Sequence, residues 1–544
     1  MSRRANSSCL FSGSTAILIF IAASALIAAS QTAVTTYHND NYRTGWNPNE
    51  TTLTPANVTK ATFGLQHSVA LDDQVDAEPL IVPGVMITAG QFQGTTHDVA
   101  YIATENNTVY AIDVHTGTVL LNPNFGTAVA FPLGCNNNGP RVGVNSTPVI
   151  DLSANTLYVM IYTQDNHTTV NFRLHALDLG SLTDKVTPQV VVASHTLTNG
   201  STFNFNAKYQ RQRSALLAAN GSIYAAFASF CDFSGNLSRG WLLGWSTNTL
   251  TPFPSNQLLD VQSTNPDSFF LSSIWMSGYG PAADDSGNIV FVTGNSEPNT
   301  YDGVTDLQES VVKVSPTLTT VLDVFTPSDQ VSLDQGDVDF GSGGALVLPD
   351  QPGSMPHMAV AAGKDGNLYF MNEDDLGGYS PSKNNVLGTY SVGECWCGQS
   401  YFLDASGSSR VVTSGGNNIK VWQVQTSPKP ALNLLKNSAF ISGLQDPGFF
   451  TSISSNGMSN PVIWAVSRPQ SAGKYPLFLY AFNPEIGKSA TLKRLYRAKA
   501  GFWPNTGGNS NLVPAVANGQ VFVASNKVLE IFGLLGGNSK AKNK

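Results

Sequence analysis

A short pattern repeats eight times along this chain and constrains its fold more than any other feature. A small or polar residue is followed by proline or another small residue, then an apolar run, then a turn. It reads AEPLIVPG around Pro79, STPVIDLS around Pro148, RSALLAANG around Ala215 and YGPAADDSG around Pro281. It continues as GGALVLPD around Gly344, SYFLDASG around Tyr401, SNPVIWAV around Pro461 and LVPAVANG around Pro514, giving spacings of 69, 67, 66, 63, 57, 60 and 53 residues. Periods on this scale mark repeat architectures. Further runs of Val, Ile, Tyr, Phe and Leu, bounded by Gly, Asn and Asp, follow each copy and read as strands. One such unit is a small antiparallel sheet that cannot bury its own faces, and radial packing of the units solves that problem.

The expected fold is therefore all-β, a single β-propeller of four-stranded antiparallel blades. Eight blades are predicted; seven would result if the loosely matching fifth-to-sixth stretch formed one elaborated blade. The last unit, Val513 to Leu534, supplies only about three strands. The segment from Phe63 to Leu71 (FGLQHSVAL) precedes the first full unit and is expected to complete the last sheet as its outer strand, closing the ring.

Composition agrees with an exported β-rich protein. Only 12% of residues are charged and 49 are glycine, which suits strands and turns better than a helical bundle. Arg3 and Arg4 followed by the apolar run Ala16–Ala28 form a secretory signal, with a cut expected before Gln31, and no later stretch approaches a membrane span. The chain divides into a signal peptide (1–30), an N-terminal arm (31–62), the propeller (63–535) and a tail (536–544). Secretion or export to a periplasm follows. The net charge of −8 argues against nucleic acid or an anionic membrane as partner. Cys135, Cys231, Cys395 and Cys397 would remain after cleavage, and four thiols in an oxidising compartment can pair in three ways. Beyond the expected signal peptide, eight Asn-x-Ser/Thr sequons, Asn145 among them, would matter in a glycosylating host.

The phrases TYHNDNYRTGWN, DQVDAEPL, TENNTVYAIDVHTG, YGPAADDSGNIVFVTGN, DFGSGGALVLPDQPG and GKDGNLYF resemble those of secreted pyrroloquinoline quinone (PQQ)-like propeller repeat proteins. The resemblance runs from about Thr36 to Leu534 and is carried best by Tyr110 to Gly117. It implies the quinoprotein-type propeller, and in the dehydrogenases of that type a quinone over the channel mouth. Cys395-Trp396-Cys397 is not the adjacent-cysteine pair typical of many such dehydrogenases, and no Cys-x-x-Cys-His haem motif is present.

Residues just before each innermost strand should ring one mouth of the channel. They are Asp76 and Glu78, Asn145, Arg211 and Arg213, Trp275 and Tyr279, Asp339 and Ser342, Gln399, Asn456 and Asn509. From this ring, Arg211, Arg213, Trp275, Asp76, Glu78, Asp339 and Asn509 are the candidate ligand-binding residues. The arginines suit carboxylates, the indole suits a flat ring, and the acids suit Ca²⁺ or general-base work. No catalytic residue is assigned, no metal ligand is fixed, and no cofactor is firmly implied, although PQQ and calcium fit the ring. Two functions follow. One is a secreted binding or scaffold propeller for a small molecule, a glycan or an extracellular protein. The other is a PQQ- and Ca-dependent dehydrogenase of an alcohol or sugar. Elsewhere, His38, Asp40 and Arg43 are expected to pack the arm, Asp334, Asp337 and Asp339 to form a solvated acidic turn, and Lys364-Asp365-Gly366-Asn367 a hairpin turn.

Overall fold

A computed structural model describes residues 31–131, 139–166, 168–230, 237–263, 271–485 and 489–536. The expected signal peptide, Cys135, Cys231, the sequon at Asn236 and nearly all of the tail lie outside the described residues. Eight antiparallel sheets form the eight blades of a propeller. Their innermost strands are Leu80–Met86, Val149–Asp151, Leu217–Ala219, Ala282–Ala283, Ala345–Leu348, Ser400–Leu403, Thr451–Asn456 and Ala515–Ala517. Seven of these coincide with copies of the sequence pattern, and the fifth and sixth copies are separate blades. Among the described residues the one α-helix is the short Gln330–Gly336, and no helix is long and apolar enough to cross a membrane.

Closure follows the expected route. Phe63–Gln74 runs antiparallel to Gln520–Leu534, pairing Phe63 with Leu534 and Val69 with Leu529 at the outer edge of blade 8. The first and last strands of the propeller thus share one sheet.

The core is circumferential. Separate apolar clusters lie between neighbouring blades, such as Tyr158, Phe172, Phe227 and Trp241 between blades 2 and 3. Because each sheet is covered on both faces, its central strands are buried throughout. Ser222–Ser229 (SIYAAFAS) and Val109–Asp113 (VYAID) show no exposed position. This is why the strands read as continuous apolar runs and not as alternating ones. The Asp-x-x-Thr-Gly run at Asp113 to Gly117 is turn chemistry: Asp113 Oδ1 accepts the backbone N–H groups of His115 and Thr116, and Gly117 follows at φ +69°.

The N-terminal arm does more than pack on the ring: between Val34 and Asn47 it bonds to the innermost strand, or the residues leading into it, of every blade. Val34 pairs with Ile81; Thr35 O accepts from Ile150 N at 2.7 Å; Asn41 Nδ2 donates to Ala218 O and Asn41 O accepts from Ala283 N. Tyr42, Thr44 and Gly45 carbonyls then accept from Val347, Tyr401 and Ile453, and Asn47 Nδ2 reaches Val516 O. At its centre Arg43 is fully buried, donating to the Pro281, Tyr37 and Leu216 carbonyls and to Thr36 Oγ1.

One strand was misread from sequence. In blade 7 the innermost strand is Thr451–Asn456, and SNPVIWAV (Ser459–Val466) is the second strand. Asn456 therefore sits at the far end of its strand, exposed and paired with Ser459, and not at the mouth.

Candidate functional site

Strand direction decides what reaches the mouth. An innermost strand runs away from it and the next strand returns, so two sets of residues converge there: those before first strands and those after second strands. The second set comprises Glu105 after Thr96–Ala103, Asn295 after Ile289–Val292, Lys364 after Met358–Ala362 and Arg468 after Ser459–Val466. Sequence reading took the first set and missed the second, although the same repeat could have supplied it.

A cavity of about 600 Å³ opens at this mouth. Arg211, Arg213, Trp275, Asp339 and Asn509 of the expected ring line it, joined by Asp337, Lys364, Trp396 and the Leu444–Pro447 and Thr506–Asn509 segments. Those two segments are tied together: Gln445 Nε2 donates to Gly508 O at 2.7 Å, and Asn509 Nδ2 to Asp446 Oδ2 at 3.0 Å. Asp76 and Glu78 do not line the cavity. Glu78 is buried and turned toward the arm, where its carboxylate accepts from His38 N. Asp76 sits behind Arg211, bonded to Gln74 and to Glu105. The expected use of Asp76 and Glu78 as cavity oxygens is thus corrected, because the arm and a neighbouring acid claim their side chains.

Two indoles stand at the wall. Trp275 is held by its Nε1–H to Ser229 O at 3.2 Å, and its ring lies against Gly294, where a Cβ would come within 2.9 Å of it. Trp396 is carried on a disulfide between Cys395 and Cys397, with Cα atoms 4.9 Å apart. Its backbone is pinned on both sides, N–H to Pro447 O at 3.0 Å and carbonyl to Arg468 Nη2 at 2.6 Å. The Lys364 ammonium lies 5.5 Å from the centre of its ring, within cation–π range.

The charges fall into two zones. On blades 4 and 5, Lys364 pairs with Asp339 and lies 3.8 Å from Asp337. Burial works against the Lys364 ammonium, but these carboxylates outweigh it and raise its proton affinity. Burial also raises Asp339, and behind it Glu309, which Asp339 and Asp334 push up further. Asp334 is 1% exposed, and burial raises it to about 9; of the expected solvated acidic turn, Asp334 and Asp339 are buried and Asp337 alone is exposed. Fully buried Asn295 Oδ1 and Glu309 Oε1 have no hydrogen-bond partner among the described residues. Among the described residues no three His, Cys, Asp or Glu side chains are arranged to hold a metal ion.

On blades 1 to 3 the cations dominate. Arg211 Nε donates to Asn145 Oδ1 at 2.9 Å, and Asn145 Nδ2 to Glu105 at 2.7 Å, which leaves that sequon's amide buried and committed. Arg213 faces the cavity, and its side chain makes no hydrogen bond or ion pair with the described residues. Burial, then the neighbouring Arg211, lowers it to about 9.

No protein-family model and no curated protein matches the chain. Solved structures do. A quinohemoprotein alcohol dehydrogenase from Comamonas testosteroni superposes with a TM-score of 0.60 at 13% identity, over 95% of this chain and 82% of that one. A second quinohemoprotein alcohol dehydrogenase, from Pseudomonas putida, gives 0.54 at 13% identity, over 94% and 81%. A europium-containing methanol dehydrogenase gives 0.58 at 10% identity, over 92% and 98%. At such identities the likeness is one of fold: the chain has the PQQ-type propeller.

Proposed function

We propose that this chain is an exported propeller that binds a small, carboxylate-bearing molecule in its channel-mouth cavity. The observation that carries this reading is Arg213, a half-buried guanidinium facing the cavity with no hydrogen-bond or ion-pair partner among the described residues. A cation partly withdrawn from water and held by no direct ion pair is costly, and a ligand carboxylate would supply the charge together with a forked pair of hydrogen bonds. Trp275 and Trp396 offer flat faces to a ring, and Asn509 and Gln445 lie at the rim for polar groups. The test is calorimetric titration with PQQ, with and without Ca²⁺, against the wild type and Arg213→Ala. Saturable one-site binding that the substitution weakens supports the reading. No heat with PQQ or a panel of simpler aromatic carboxylates defeats it, and a glycan array would then ask whether the mouth serves sugars.

A second reading, a dehydrogenase of an alcohol or sugar using PQQ and Ca²⁺, is favoured by the acidic zone. The residues present fit those groups. Arg211 and Arg213 would meet carboxylates of PQQ, Trp275 would stack on its rings, and Asp339 with the unpartnered oxygens of Asn295 and Glu309 would offer hard donors to Ca²⁺. PQQ, when bound, supplies the two-electron acceptor. Asp339, kept basic by burial, would accept the proton of the alcohol, with Lys364 beside it holding the carboxylate in place. Dye reduction by the PQQ- and Ca²⁺-loaded protein with alcohols or aldoses tests this reading, and its absence with bound PQQ would remove it.

A further inference from the structure

The blade edges take no part in the mouth site, and one of them differs from the rest. The outermost strand of blade 7, Lys493–Phe502 (KRLYRAKAGF), holds Lys493, Arg494, Arg497 and Lys499, all exposed. The outer strands of the other seven blades hold one lysine between them, Lys436, and it is buried. None of the four cations on blade 7 forms an ion pair with the described residues.

A β-bulge gathers three of them. Lys493–Phe502 pairs with Pro476–Asn483, and the register shifts at Leu495: Arg494 lies opposite Phe482, Arg497 opposite Tyr480 and Lys499 opposite Phe478. Directly opposed residues share a face of the sheet, as do alternate residues along one strand. Without the extra residue Arg494 and Arg497 would point to opposite faces. With it, all three cations stand on the face turned toward blade 6, at intervals of about 7 Å. The packing agrees: Tyr480 and Phe482 belong to the apolar cluster shared with blade 6, whereas Tyr496 and Ala500 belong to the one shared with blade 8.

The middle cation is anchored by neutral groups. The guanidinium carbon of Arg497 sits 3.5 Å from the centre of the Phe478 ring, Nε donates to Tyr480 Oη at 2.9 Å, and Nη2 donates to Gln470 Oε1 at 2.8 Å. These contacts hold the charge in place without cancelling it. Charges that only discourage edge-to-edge pairing need neither a common face nor anchoring. Like charges gathered on one face also repel one another, and an anionic partner relieves that repulsion.

We propose that this strip binds a linear acidic polysaccharide, at a site separate from the channel mouth. The cations form a row on an open edge, which fits a polymer bearing carboxylate or sulfate groups along its length better than one small anion. Nucleic acid fits less well. No ring is free to stack on a base, since Arg497 lies on Phe478 while Tyr480 and Phe482 are buried, and the net charge of −8 opposes a dense polyanion.

The experiment measures binding of the full mature chain to polygalacturonate and to heparin, with neutral dextran and duplex DNA alongside. Arg494→Gln/Lys499→Gln removes two exposed charges and should leave urea unfolding unchanged. Lys208→Gln/Lys383→Gln removes the same charge from exposed positions elsewhere. We expect binding to the acidic polysaccharides that weakens with salt and is absent with dextran. It should fall about three- to thirtyfold in the first double variant only, the worth of two exposed ion pairs. No binding to either acidic polysaccharide, equal binding to dextran, an equal fall in both double variants, or no fall in the first would overturn the strip as a site. Duplex DNA bound more tightly than the polysaccharides would overturn the partner.

Discussion

Replacing Arg43 by alanine should destabilise the whole ring, because this side chain joins the arm to blades 3 and 4 at the centre of the channel. Its guanidinium makes well-placed bonds to Pro281 O (2.9 Å), Thr36 Oγ1 (2.7 Å), Tyr37 O (2.9 Å) and Leu216 O (3.1 Å). Hydrogen bonds from a charged donor contribute roughly 1.5–3 kcal/mol each, so the set would exceed about 6 kcal/mol if additive. Burial opposes this: it lowers Arg43 to about 10 from 12.5, an offset of about 3 kcal/mol. A net loss of about 4 kcal/mol is expected, since the alanine also leaves a void and acceptors with one donor fewer. Arg43→Lys keeps the charge but cannot fork to three carbonyls, and should lose about half as much. Urea unfolding followed by tryptophan fluorescence measures both. A loss below about 1 kcal/mol for the alanine, or a lysine variant as stable as wild type, would refute the view of the arm as a hub.

Three other perturbations follow from the geometry. Arg213→Ala should weaken binding of a carboxylate probe by about 10- to 100-fold, the worth of one charged hydrogen-bonding group, with unfolding little changed; a stability loss without a binding loss would contradict the site. The Cys395–Cys397 disulfide encloses a single residue, so its removal by a double serine substitution should lower unfolding stability by only about 1–2 kcal/mol, whereas probe binding should suffer through Trp396; a large stability loss with intact binding would reverse that ranking. Burial, then Asp260, raises Asp306 to about 8 in the folded state, so it holds a proton that the unfolded chain has already released. Its contribution is whole below pH 4 and lost as pH rises towards 8, by up to about 1.4 kcal/mol per unit, and Asp306→Asn should flatten that slope in pH-dependent unfolding.

The repeat exposed the ring because each blade must begin at the same mouth with the same short strand, and close packing there selects Pro, Gly and Ala. It failed at blade 7 for a physical reason. Second strands buried on both faces are as apolar as first strands, so SNPVIWAV carried the pattern while Thr451–Asn456 (TSISSN), rich in serine, did not. The ring of side chains was half legible. Arg211, Arg213, Trp275, Asp339 and Asn509 follow from position alone. Lys364 and Arg468 required the return direction of the second strands, and Trp396 required knowing that Cys395 bonds Cys397. Glu78 could not be placed at all without the path of the arm, since nothing local to AEPLIVPG shows that His38 will take its carboxylate.

The most direct test is a crystal structure of the mature chain soaked with PQQ. The account predicts the ligand in the channel-mouth cavity, one carboxylate forked onto Arg213 and its rings against Trp275 or Trp396. A bound molecule elsewhere on the propeller, or an empty mouth at saturating ligand with Arg213 satisfied by the protein itself, would contradict it.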